Sequence, residues 1–199
     1  NNFSGTLDGQ NFKIYNLSSS IGGLFQTVVN STIKNLTLEM NVNSNNTNNK
    51  GILANTMQAT SLSNITVRGN ISGKDNIGGV VGNFSGENNY MENVHYSGQI
   101  SSTGNNVGGL AGWIENINAS NVSVGKENTS ITGINNVGGL FGFLQGFNIN
   151  NSHSSGNFTG KVKVGGIAGE AFNEIALFPR ESSISHVYTN SNVIGDSYA

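Results

Sequence analysis

The sequence predicts an all-β fold, a right-handed parallel β-helix of about seven rungs with Gly and Asn corners. Three observations predict it. A short glycine phrase recurs along the chain, a second phrase built around one Asn recurs in step with it, and no stretch shows helical periodicity.

The glycine phrase appears as Ile21-Gly22-Gly23-Leu24-Phe25 and, weakened, as Lys50-Gly51-Ile52-Leu53-Ala54. It returns at Ile77-Gly78-Gly79-Val80, Val107-Gly108-Gly109-Leu110, Val137-Gly138-Gly139-Leu140 and Val164-Gly165-Gly166-Ile167. From first glycine to first glycine the steps are 29, 27, 30, 30 and 27 residues. One such unit cannot bury its apolar face alone and must stack on the next. Leu24, Leu53, Val80, Leu110, Leu140 and Ile167 then form an interior aliphatic column. The paired glycines fall either where a corner needs positive φ or where rungs approach too closely for a Cβ.

The second phrase runs Thr32-Ile33-Lys34-Asn35-Leu36-Thr37-Leu38, then Leu62-Ser63-Asn64-Ile65, Met91-Glu92-Asn93-Val94 and Ala119-Ser120-Asn121-Val122. Degenerate copies surround Asn151 and His186. Apolar positions fall two before the Asn, one after it and three after it, so the inward face changes phase there. A bend with the Asn in a turn conformation explains the change. The Asn side chains would stack as an amide ladder, with Asn151 continuing it and His186 replacing its last member. A third phrase, as in Gly69-Asn70-Ile71-Ser72-Gly73, closes each unit, giving about three strands per repeat. The lead-in, Phe3 to Leu17, reads as two strands around Asp8-Gly9.

Two stretches interrupt the pattern. Residues 43–50 are Asn-rich and Gly51 lacks a partner glycine, so this corner is expected to be differently built. Residues 172–182 lengthen the final repeat, carry the only Pro and hold apolar residues without counterparts, which reads as a projecting loop. Phe172, Ile175, Leu177, Phe178 and Arg180 are its candidate partner-binding residues. The whole chain, 1–199, reads as one domain and as part of a longer repeat array.

Composition narrows the function. Charged residues are 10 % and the net charge is −2, which gives no case for nucleic acid. No apolar run approaches the roughly 18 residues of a membrane span, so no membrane insertion is expected. The absence of Cys means no disulfide holds the fold and is in keeping with an exported bacterial protein.

The phrases Val-Gly-Gly-Leu-Ala-Gly and Ser-Asn-Val-Ser-Val at this spacing resemble the GLUG repeat, and the likeness covers nearly the whole chain. GLUG arrays occur in bacterial surface adhesins and in non-catalytic regions of immunoglobulin A-type zinc metalloproteases. The resemblance implies a parallel β-helix at the cell surface or in the secreted fraction. It implies a rigid stalk or adhesin that binds a host protein or glycan and joins flanking domains of the same parent chain. The alternative it leaves open is the substrate-positioning β-helix of a surface zinc metalloprotease.

Residues that could carry chemistry are sparse, and no catalytic, metal or cofactor site is expected. His95 and His153 occupy one repeat position two rungs apart, about 10 Å, with Ser123 between them. Neither lies in an H-E-x-x-H motif. A carbohydrate-active β-helix would need converging carboxylates, whereas these scatter and only Glu170, Glu174 and Glu181 cluster near the last loop. Glu39 and Arg68 share a position on adjacent rungs and are expected to pair. Asp8 reads as a turn residue. The sequons at Asn35, Asn64 and Asn121 coincide with the Asn column, so structure explains them. Trp113, Phe143, Tyr90 and Phe147 are possible sugar-binding aromatics at rung edges.

Overall fold

The structure is a computed structural model that describes residues 2–44, 46–125, 128–173 and 182–197. Among the described residues every regular element is a strand, and the paired strands run parallel. The chain winds as a β-solenoid of six turns opening at Gly22, Gly51, Gly78, Gly108, Gly138 and Gly165. The lead-in strands Asn2–Asp8 and Lys13–Ser19 form a further layer on the first turn. At about 4.8 Å per rung the stack is some 30 Å tall.

The second to fourth turns each hold four strands rather than three, and in the other turns adjoining strands run together. The glycine phrase itself supplies the fourth: Lys50–Gly51, Ile77–Gly78, Asn105–Gly108, Asn135–Gly138 and Val162–Gly165 make a separate parallel sheet. Strands of two to four residues that end in glycine show too little alternation to be read from sequence. The other three segments follow in order, as in Val81–Ser85, Asn89–Ser97 and Gln99–Ser102 of one turn.

Corners between segments rely on left-handed backbone, and Asn supplies most of it. One column is Asn35, Asn64, Asn93, Asn121, Asn151 and His186, with φ between 48° and 54°. A second is Asn49, Asn76, Asn106, Asn136 and Lys163. Ordinary L-residues lose roughly 1–2 kcal/mol in this conformation, and Asn tolerates it better than most. In the first column Asn64 Nδ2 donates to Asn35 Oδ1 at 3.0 Å and Asn93 Nδ2 to Asn64 Oδ1 at 2.9 Å. Asn121 donates in turn to Asn93.

The ladder begins one layer lower than the sequence implies. Asn35 Nδ2 donates to Asp8 Oδ1 at 3.0 Å, and Gln10 N donates to the same oxygen. The Gln10 backbone bond first, then the Asn35 amide and the nearby Lys34, hold the Asp8 carboxyl below its ordinary value. Asp8 is therefore both turn residue and base of the ladder. At the other end, Asn151 keeps the corner conformation but turns its amide to Asn150, so the ladder does not continue through it.

The core is a set of columns. Leu53, Val80, Leu110 and Leu140 are fully buried, while Leu24 and Ile167 pack half-buried against them at either end. The register stacks Leu36, Ile65, Val94, Val122, Ser152 and Val187 on another face. Each fully buried aliphatic chain contributes about 1.5–3 kcal/mol. The degenerate repeat puts Ser152 and Ser154 in core columns, and both bond to backbone carbonyls there, at Asn150 and Gly166. That satisfies the rule that buried polar groups must be paired.

Apart from Gly22, at φ 150°, the paired glycines answer close approach rather than positive φ. Neither Gly78, Gly79, Gly108, Gly109, Gly138 nor Gly139 has φ in the left-handed range. A Cβ on Gly79 would overlap the Gly109 carbonyl and the ring of Tyr96. The turn at Gly51 has Ile in place of the second glycine. Gly51 pairs with Gly78, so Ile52 takes the place of Gly79, and the register puts Val67 where Tyr96 stands one turn on. Opposite size is not the whole rule, because Gly109 faces Val124 and a Cβ there would meet both that side chain and the Gly139 carbonyl. The corner before Gly51 is not unusual, because Asn49 joins the same ladder as Asn76. Burial meanwhile raises the Tyr96 hydroxyl far above its ordinary pKa, and that group donates to the Gly69 carbonyl at 2.9 Å.

One expected pair is replaced. Glu39 and Arg68 do share a register position, but Glu39 makes its ion pair with Lys13 of the lead-in, at 2.5 Å. Bonding to Lys13 holds the Glu39 carboxyl below its ordinary value, with Arg68 a lesser contributor.

Two substitutions test this packing. Asn93→Ala removes both ladder bonds and leaves Ala in left-handed backbone, so it should lower unfolding stability by about 2 kcal/mol in a denaturant titration. Asn93→Gly loses the bonds without the backbone strain and should cost about half that. Gly79→Ala should cost about 2–3 kcal/mol by overpacking. Adding Tyr96→Val should restore only the part due to the ring, because the Gly109 carbonyl remains in the way, and no restoration would refute a contribution of Tyr96.

Candidate functional site

A surface groove of about 480 Å³ is lined by Trp113 and Phe143, by Asn105, Asn106, Asn135 and Asn136, and by Val162, Lys163 and Glu170. It lies along the rod, between the glycine-phrase strands and the strands that follow them. The third glycine of each phrase builds it. A Cβ on Gly112 would strike the backbone of Asn76 and Ile77, and one on Gly142 that of Asn106 and Val107. Without side chains there, the two strands fold close together and the residues flanking these glycines share one concavity.

The floor is aromatic. The register stacks Asn83, Trp113, Phe143 and Glu170 as a column immediately after the third glycine. Trp113 and Phe143 stack at 4.3 Å between ring centroids, with planes 23° apart. Trp113 Nε1 donates to Glu115 at 3.2 Å. Both rings remain half-buried, so the stack gives an apolar wall two rungs tall.

The facing wall consists of amides. Asn135 Nδ2 donates to Asn105 Oδ1 at 2.7 Å, and Asn136 Nδ2 donates to Asn106 Oδ1 at 2.8 Å. Asn105 in turn rests on Asp75, whose Oδ1 accepts from its backbone N–H at 2.9 Å. In the last turn Val162 and Lys163 replace the two Asn, and Lys163 Nζ pairs with Glu170 at 2.5 Å. The groove therefore runs from an amide-lined end to a neutralised ion pair.

The sequence expectations distribute unevenly over this surface. Of four flagged aromatics, Trp113 and Phe143 come together. Tyr90 is exposed on another face and Phe147 packs on the core. Phe172 ends the strand Ala168–Phe172 and is 44 % exposed. Ile175, Leu177, Phe178 and Arg180 lie outside the described residues, as do Glu174 and Glu181. Glu170 sits in the groove, engaged with Lys163. His95, Ser123 and His153 occupy successive rungs, and His95 Nδ1 lies 2.7 Å from Ser123 Oγ. Sequence reasoning missed the amide wall. Its signal is the Asn-Asn pair before Val-Gly-Gly in two consecutive repeats, just outside the phrase that was counted.

Residues 1–69 match the family model described as the M26 IgA1-specific metallo-endopeptidase N-terminal region. The chain resembles a part of immunoglobulin A1 proteases. Over 97 residues it is 37 % identical to the Immunoglobulin A1 protease of Streptococcus sanguinis, covering 48 % of this chain and 5 % of that protein. Over 86 residues it is 36 % identical to Halomucin of Haloquadratum walsbyi, covering 40 % of this chain and 1 % of that protein. The chain thus spans a twentieth or less of the relatives it matches. An immunoglobulin A1 metallo-endopeptidase implies a metal. Among the described residues no group of three or more His, Asp or Glu side chains is placed to hold one, so these residues do not fit that metal.

Trp113 is the only Trp, so its emission reports on the groove. Phe143→Ala should expose the indole and shift its emission to longer wavelength while leaving the far-ultraviolet β-sheet spectrum unchanged. An unshifted spectrum would contradict the stacked geometry.

Proposed function

We propose that this chain is a non-catalytic rod in a secreted or cell-surface protein related to immunoglobulin A1 proteases. It sets the distance and orientation between its substrate and a catalytic region elsewhere in the parent chain. The match of residues 1–69 to the N-terminal region of those enzymes carries this reading. The stack of turns among the described residues supports it mechanically. Each layer touches only its neighbours, so length can be added or removed by whole turns without disturbing the rest.

A second reading has the rod as a surface stalk or adhesin that presents a binding face to a host protein or glycan. The similarity to Halomucin and the Trp113–Phe143 groove favour it.

Turn deletion in the full-length parent distinguishes the two. Removing residues 78–137 joins equivalent register positions and shortens the rod by about 10 Å. The positioning reading expects slower cleavage of intact immunoglobulin A1, by about tenfold, with a short peptide substrate cleaved at the parental rate. Equal loss on both substrates would place catalytic groups in the rod. Unchanged rates, or a parent that cleaves no immunoglobulin A1, would overturn the positioning reading in favour of the stalk.

A further inference from the structure

We propose that the groove between the Trp113–Phe143 stack and the Asn105–Asn136 amide wall binds an uncharged glycan. The argument starts from what the walls can exchange. A side-chain amide has two N–H donors and two carbonyl lone pairs. The ladder bonds from Asn135 to Asn105 and from Asn136 to Asn106 use one of each. Asn105 and Asn106 also donate to Asp75 and Asn76, which leaves each amide one N–H and at least one lone pair. The wall therefore offers both donors and acceptors, repeated at the rung spacing of about 4.8 Å. Hydroxyl groups match this supply because each can donate and accept.

The opposite wall suits the other half of a sugar. Stacked aromatic carbon two rungs tall presents apolar surface to the C–H faces of pyranose rings, and half-buried rings lose little entropy on contact. Concave sites with aromatic walls and a few placed polar groups are the usual form of small-ligand sites.

Charge selects among glycans. Lys163 and Glu170 neutralise each other at the end of the groove, and the remaining lining is uncharged. An acidic glycan would find no unpaired cation there and would meet the Glu170 carboxylate.

Peptides fit less well, for two reasons. Strand addition needs a free backbone edge. Here Asn105–Gly108 already pairs on both sides, with Ile77–Gly78 and Asn135–Gly138, and Ala111–Ser120 pairs with Val81–Ser85 and Phe141–Thr159. A proline-rich peptide can use aromatic walls, but it lacks N–H groups to satisfy the amide carbonyls, and the Trp113 N–H is already donated to Glu115.

The test titrates the chain with cellohexaose, chitohexaose and maltohexaose, with a hyaluronan hexasaccharide and with decaproline, read by Trp113 emission and calorimetry. At least one neutral oligosaccharide should bind and change the emission. Its binding should weaken about tenfold in Asn135→Ala and in Phe143→Leu, and stay unchanged in Tyr90→Ala on another face. Thermal melts monitor folding, and Phe143→Leu decides if Asn135→Ala fails to fold. Absence of binding by all three neutral oligosaccharides overturns the proposal, as does binding that survives both groove substitutions. Tighter binding of decaproline than of any sugar would reassign the groove to a peptide, and binding of hyaluronan alone would reassign it to an acidic glycan.

Discussion

Parallel stacking at about 4.8 Å means that every residue sits directly above and below its own counterparts. A residue type persists in a column only if it is compatible with a copy of itself at that distance. Asn meets the condition because an amide donates to one neighbour and accepts from the other, as the Asn35–Asn121 ladder does. Aliphatic chains meet it by contact, and glycine by leaving room. Like charges do not. At this spacing two of them repel by about 1 kcal/mol even in water. That is a physical reason for a chain with only 10 % charged residues. The ion pairs sit mainly at the ends of the stack, as Lys13–Glu39 and Lys34–Asp8 at the start and Lys163–Glu170 near the finish.

The same constraint makes variation cooperative across the core. The register sets Val67 beside Ile52 and Tyr96 beside Gly79, while Gly109 beside Val124 is fixed by the Gly139 carbonyl as well. Outside the core the constraint builds the groove. Each third glycine draws two strands together, and the column that follows is free to differ because it faces outward. Two consecutive aromatic residues in that column, opposite two Asn pairs, make one place on the rod unlike the rest.

The fold was legible because its period exceeds local noise. Six glycine phrases at steps of 27 to 30 residues leave few alternatives to a solenoid, and the phase change at Asn35, Asn64 and Asn93 located a corner. What escaped was whatever depends on neighbouring rungs. The role of Gly79 is set by Tyr96 and by Gly109 one turn away, so its own flanking residues could not separate close approach from positive φ. The Asn-rich stretch 43–50 is expected from sequence to build its corner differently, yet Asn49 takes the same conformation and ladder bond as its counterparts. The groove escaped for a related reason. Trp113 and Asn135 are 22 positions apart, and only the packing of Gly112 and Gly142 brings their columns face to face.

Side-chain amide exchange is the most direct measurement of the ladder on which this account rests. In a nuclear magnetic resonance spectrum of the labelled chain, one Nδ2 proton of Asn64, Asn93 and Asn136 is predicted to exchange with solvent far more slowly than its geminal partner. Asn151, whose amide has left the ladder for a longer 3.2 Å bond to Asn150, should show a weaker asymmetry than the column. Equal and fast exchange of both protons at Asn64, Asn93 and Asn136 would contradict the account.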